Sequence, residues 1–112
     1  MRYLVTIYNN EKTLQAIEGE VRTEFEQAHQ AVQRELTASG ELVETRVLSN
    51  DDAKVVRTDR GRLLVTDGPF AEVKEWAGGY YLLDVDGMDR AVEIAGRFVE
   101  TRYSPADVRR VE

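Results

Sequence analysis

Along the chain, short runs of β-branched and aromatic residues alternate with two longer stretches in which apolar residues recur every three or four positions. The first run, RYLVTIY from Arg2 to Tyr8, predicts a strand. Tyr3, Val5 and Ile7 fall on one face of it and Leu4, Thr6 and Tyr8 on the other. Both faces are largely apolar, the pattern of a strand covered on two sides. NNEKTLQAIEGE then reads as a loop. From about Glu20 to Ser39, Val21, Phe25, Ala28, Val32 and Leu36 form one stripe of an amphipathic helix, and Gly40 is its expected stop.

ELVETRVL reads as a second strand and SNDD as a turn. AKVVRT and RLLVT flank DRG, a three-residue connection suited to a type I turn with a glycine bulge. Residues 53–66 are therefore expected to form a hairpin with Gly61 at positive φ. GYYLLDV is the second two-faced strand, with Tyr80 and Leu82 opposite Tyr81, Leu83 and Val85. A helix over about Met88 to Thr101 carries Met88, Ala91, Val92, Ala95 and Val99 on one stripe, and DVRRV closes the chain as a short strand.

Strand, helix, strand, hairpin, strand, helix, strand is the order of a ferredoxin-like α+β fold with an inserted β-hairpin. Its first and third main strands are central, and these are the two with apolar residues on both faces. Two helices cover only one face of such a sheet. A second copy of the sheet is the economical cover for the other, which predicts a homodimer with facing sheets.

At 112 residues the chain is expected to be one domain, residues 1–112, long enough to bury roughly 65% of its unfolded surface. Its net charge of −6 argues against nucleic acid as a partner, because that binding needs a basic footprint. No run approaches the ~18 apolar residues of a membrane span, so the expectation is a cytoplasmic protein with no membrane partner. The absence of cysteine removes disulfides, thiol nucleophiles and thiolate metal sites.

The segment from Val65 to Val85, VTDGPFAEVKEWAGGYYLLDV, resembles the signature of the DGPF branch of the YCII-related (YciI-like) proteins. Its markers are Asp67, Gly68, Pro69, Phe70, Ala71 and Glu72, then Lys74 and Glu75, then Gly78, Gly79 and Tyr80. The likeness extends to the opening strand, the helix bearing AHQAVQREL, Gly40, the hairpin and the final helix and strand. It implies a ferredoxin-like domain pairing as a dimeric α/β barrel. It also implies a catalytic pair of a first-helix histidine, matched here by His29, with an aspartate, for which Asp67 is the candidate. At least one branch of that family carries out dehalogenating elimination on an aromatic. Genes of the DGPF branch often lie beside those for extracytoplasmic-function sigma factors, which implies a regulatory alternative with a sigma factor as partner.

Weighed by chemistry, few mechanisms survive. His29 is the sole histidine, and it sits at the edge of its helix stripe, where a side chain lies between core and cavity or simply makes a boundary hydrogen bond. Turn chemistry alone also explains Asp67-Gly68-Pro69. Phe70 reads as a loop anchor, Glu72, Lys74 and Glu75 as loop ion pairs or ligand contacts, and Tyr80 as a cavity wall. One histidine with carboxylates is a weak zinc set, so no metal is expected. Gly78-Gly79 precedes a strand where a phosphate loop would open a helix. Ser39, Ser49 and Ser104 lack a nucleophile-like context. What remains is cofactor-independent acid–base chemistry on a small organic molecule, elimination, isomerisation or hydrolysis, by His29 with Asp67 or another carboxylate. The alternative is a non-catalytic sensor acting with an extracytoplasmic-function sigma factor.

Overall fold

The computed structural model describes residues 1–68 and 74–112. In chain order the elements are β1 (Arg2–Asn9), α1 (Glu11–Glu18), α2 (Arg22–Ser39), β2 (Leu42–Val47), β3 (Lys54–Asp59), β4 (Arg62–Asp67), β5 (Trp76–Asp84), α3 (Met88–Ala95), a 3-10 turn (Val99–Arg102) and β6 (Ala106–Arg110). β2, β5, β1 and β6 form a four-stranded antiparallel sheet in that order, and β3 pairs with β4 in a separate hairpin. The two strands with two apolar faces, β1 and β5, are the central pair. The fold is α+β with antiparallel sheets, compatible with the ferredoxin-like order.

One face of the sheet meets the helices. Tyr3, Val5 and Ile7 of β1 and Tyr81 and Leu83 of β5 pack with Val85 against Val32 and Leu36 of α2, Ala91, Ile94 and Ala95 of α3, and Phe98. Burying a side chain of the Leu or Val class contributes about 1.5–3 kcal/mol, so this cluster is the main source of stability. The opposite face carries Leu4, Thr6 and Tyr8 of β1 beside Tyr80 and Leu82 of β5, all half-buried in the single chain. Outer strands frame it with charge. Glu44 and Arg46 lie opposite Leu82 and Tyr80, and Asp107 and Arg109 lie opposite Thr6 and Leu4.

The structure differs from the sequence reading at four places. The NNEKTLQAIEGE loop contains α1, an eight-residue helix too short to display a stripe. Asn10 caps it reciprocally, accepting from the Thr13 amide at 2.9 Å while the Thr13 hydroxyl accepts from the Asn10 amide at 3.3 Å. Thr13 is fully buried, its Oγ1 2.6 Å from Ser104 Oγ, and Ser104 donates to the Tyr8 carbonyl at 2.7 Å. A polar residue in that inward position hides the helix from a hydrophobic-pattern argument.

Second, α3 ends at Ala95, before Gly96, and Met88 and Val92 are exposed while Ile94 takes the inward place. Val99 belongs to the 3-10 turn. Third, β5 begins at Trp76, so Gly78 and Gly79 lie inside the strand. Pairing slips by one residue there, with Ile7 opposite Gly79 and Tyr8 opposite Ala77. A Cβ on Gly78 would fall 2.2 Å from Asn9 Nδ2, so the glycine admits a side chain into the strand's own space.

Fourth, the hairpin forms with Asp59 paired to Arg62, leaving a two-residue loop. Arg60 at φ 51° and Gly61 at φ 78° are both left-handed, the geometry of a type I′ turn. Gly61 is where the sequence placed a positive φ, but the turn is tighter than the expected bulge. It matches the right-handed twist of the strands, and Arg60 bears the steric cost. Arg60→Asn should relieve it and stabilise the hairpin by a few tenths to ~1 kcal/mol, and Gly61→Ala should cost about 1 kcal/mol. Hydrogen exchange at the Arg57 and Leu64 amides, which face each other in the ladder, is the check: slower exchange is expected for Arg60→Asn and faster for Gly61→Ala.

Candidate functional site

α2 delivers His29 to the edge of the core, where its side chain is 17% exposed. Three aromatic rings enclose the imidazole. Phe98 stacks on it at a centroid distance of 4.6 Å, Phe25 meets it edge-on at 4.9 Å, and Tyr81 lies at 5.9 Å. Both ring nitrogens are engaged. Nε2 lies 2.8 Å from Glu100 Oε2, and Nδ1 lies 2.8 Å from the Tyr81 hydroxyl. Gln33, one helical turn beyond His29, donates its amide to the same phenol at 3.0 Å.

The donors and acceptors form a consistent chain. With Glu100 ionised, its Oε2 accepts from Nε2–H, Nδ1 is then an acceptor, and the phenol donates to it while accepting from Gln33. A second proton on Nδ1 reverses that one link, and the phenol's own hydrogen becomes available to something else. Burial pushes the Tyr81 phenol above its ordinary value, against the opposing effects of the Gln33 and Thr45 hydrogen bonds. At neutral pH it is therefore a proton donor.

Glu100 is the unexpected member. It sits on the 3-10 turn, which Arg102 fixes to α2 by a two-pronged contact with Glu24. The residue is 5% exposed, and its Oε1 is buried with no hydrogen-bond partner among the described residues. A buried carboxylate oxygen without a donor is costly and calls for an explanation.

His29, Gln33, Tyr81 and Glu100 line a cavity of about 480 Å³ between α1, α2 and the β2–β5 edge of the sheet, within the size range of small-molecule sites. Ile7, Leu14, Ile17, Phe25, Val47 and Leu48 supply its apolar wall. Among the described residues no cluster of three or more metal-ligating side chains occurs.

The residues singled out from sequence distribute unevenly around this cavity. His29 and Tyr80 line it, and Tyr80 donates its hydroxyl to Glu44 at 2.6 Å. Asp67 ends β4, its carboxylate paired with Lys54 across the hairpin and held below the ordinary range by that hydrogen bond. The carboxylate against His29 within this chain is Glu100, so the expected pairing with Asp67 is not formed here. Lys74 and Glu75 line a separate, shallower depression with Asn10, Lys12, Trp76 and Tyr103, and Asn10 Nδ2 reaches Glu75 at 3.4 Å. Phe70 and Glu72 lie outside the described residues.

Tyr81 and Glu100 were missed for identifiable reasons. Tyr81 shares its strand face with Leu83 and Val85 and reads as core, which it also is. Glu100 reads as the polar side of an extended α3. The available signal was Gly96, which ends that helix and lets Phe98-Val99-Glu100 turn inward.

The YCII-related domain family matches residues 1–111. The chain is also 35% identical over 96 residues to an uncharacterized protein of Rhizobium meliloti (strain 1021), covering 85% of this chain and 77% of that protein.

Because the Tyr81 proton is bound more tightly in the folded than in the unfolded chain, its contribution is complete below the ordinary value of 10.0. It is lost as pH rises beyond that value through the higher folded one. Tyr81→Phe should flatten the alkaline limb of a stability–pH curve. Gln33→Leu, which removes a bond that favours the phenolate, should move the Tyr81 titration further up in ¹³C-tyrosine spectra.

Proposed function

The chain belongs to the YCII-related family, and from that premise we propose that it is a homodimeric small-ligand-binding protein whose cavity performs cofactor-independent acid–base chemistry through His29. The observation that carries this reading is the double engagement of the imidazole. Both nitrogens of His29 are already bonded, so the group left to meet a ligand is the Tyr81 phenol.

In this mechanism Tyr81 gives its hydrogen to a basic atom of the ligand and recovers one from His29 Nδ1–H. His29 passes from imidazolium to neutral imidazole, retaining the hydrogen on Nε2. Glu100 stabilises the imidazolium before transfer, and Gln33 stabilises phenolate character during it. The reverse sequence removes a proton from the ligand. Elimination, isomerisation and hydrolysis each need one such transfer. Asp67 is proposed as a wall residue contributed across the dimer. Lys74 and Glu75, in the depression beside Asn10 and Tyr103, are proposed to help position the ligand.

The dimer is supported by the half-buried apolar strip of Leu4, Thr6, Tyr8, Tyr80 and Leu82 on the sheet face away from the helices. Leu82→Arg would place a charge in that interface and should convert a dimer to a monomer in light scattering, with far-UV circular dichroism unchanged. A wild-type monomer at micromolar concentration would overturn the pairing.

For the chemistry, the test is an untargeted metabolite-binding screen followed by a structure and turnover assay with the hit. Ligand contacting the Tyr81 oxygen is expected, with Tyr81→Phe losing about 10²–10⁴ in rate while affinity changes only a few-fold. Full activity in Tyr81→Phe would overturn the mechanism. Tight binding without turnover would make the protein a sensor, the role suited to partnership with a sigma factor.

A further inference from the structure

We propose that the cavity takes a small molecule bearing a protonated amine on an apolar, ring-sized body, a proposal that rests on the reading of the cavity as a ligand site. The charges on its wall are one-sided. Glu18, Glu26 and Glu100 face it, against Arg46 as the wall's permanent cation. Arg46 is committed elsewhere, donating to the Thr45 carbonyl at 2.8 Å and lying 3.7 Å from Glu44. Glu26 is satisfied by Arg22 at 3.1 Å. Glu18 has no ion pair among the described residues, and Glu100 Oε1 has no hydrogen-bond donor among them.

An anionic ligand would therefore face the carboxylates of Glu18 and Glu100, with Arg46 the one permanent cation among the described lining residues and already hydrogen-bonded to Thr45. A neutral ligand would leave the Glu100 charge uncompensated whenever His29 is neutral. An ammonium group answers both conditions, because it supplies several N–H donors and the opposite charge to the orphaned oxygen. Phe25 lines the same wall, and an aromatic neighbour also favours a cation. Ile7, Leu14, Ile17, Val47 and Leu48 then define the rest of the molecule as hydrocarbon. About 480 Å³ leaves room for a ring with a short side chain.

The test uses three probes of one shape and different charge: phenethylamine, phenethyl alcohol and hydrocinnamate. Each is titrated at neutral pH into ¹⁵N-labelled full-length protein, following the Gln33 and Asn50 side-chain amides. The amine is expected to saturate these shifts with an affinity at least about tenfold above the alcohol, as a charge-assisted bond to a buried carboxylate provides. Hydrocinnamate is expected to produce no saturable shift. Glu100→Gln should reduce the amine to the affinity of the alcohol. If that variant does not fold, Glu18→Gln should weaken the amine several-fold and leave the alcohol unchanged. Equal binding of amine and alcohol, or preference for hydrocinnamate, overturns the charge assignment while leaving the ligand site standing. If no probe moves the cavity resonances at millimolar concentration, the ligand-site reading fails and the charge assignment falls with it.

Discussion

The antiparallel register between β1 and β5 decides what every neighbouring part of the molecule can do. It sets Tyr3, Val5, Ile7, Tyr81 and Leu83 under the helices, and Leu4, Thr6, Tyr8, Tyr80 and Leu82 on the open face. Because side chains alternate with a period of two, a slip of one residue would exchange those sets completely. Two adjacent tyrosines show what is at stake. Tyr81 enters the core and bonds His29, whereas Tyr80 leaves it and bonds Glu44. The shift opposite Gly78 confines the irregularity to one end of the pair, where Asn9 needs the missing side chain's space. Beyond that point the register is continuous.

The site follows from this alternation together with the way α2 lies across the sheet. His29 and Gln33 are one turn apart and both reach the Tyr81 phenol, so strand and helix are joined by a polar contact inside an otherwise apolar layer. Such a contact is costly when incomplete and specific when complete. Three of its four members have their bonds made. The remaining vacancy is on Glu100, whose second oxygen is buried without a donor. Among the described residues two buried carboxylate oxygens lack a donor, Glu100 Oε1 and Asp107 Oδ1, and of the two residues Glu100 lines the cavity.

How much of this could be read from sequence depended on the range of the signal. Strands with two apolar faces, the long stripe of α2 and the glycines at 40 and 61 are local patterns, and each corresponds to an observed feature. The edge position of His29 was likewise visible in helix periodicity. Helix α1 escaped because its buried face includes Thr13, stabilised by Ser104 from the far end of the chain. Glu100 escaped because its partner is 71 residues away and no periodic pattern encodes such a meeting. Asp67 drew attention as part of a specific motif, but its nearest cation lies across a hairpin, and short-range pairing took it.

Bonds among Thr13, Ser104 and Tyr8 have a mechanical consequence. Ser104 also receives α1's neighbourhood through Tyr103, whose carbonyl accepts from Asn10 at 2.9 Å, and the Ser104 amide itself donates to the Glu100 carbonyl at 3.0 Å. The helix forming one wall of the cavity is thereby bolted to the turn that carries its carboxylate. Neither can swing without shearing the same small set of buried hydrogen bonds. A guest that wedges α1 outward would therefore tug on the Glu100 backbone, converting pressure at an apolar wall into displacement at a charged one. The apolar side of the cavity and the turn carrying its buried carboxylate are thus joined by one short run of hydrogen bonds.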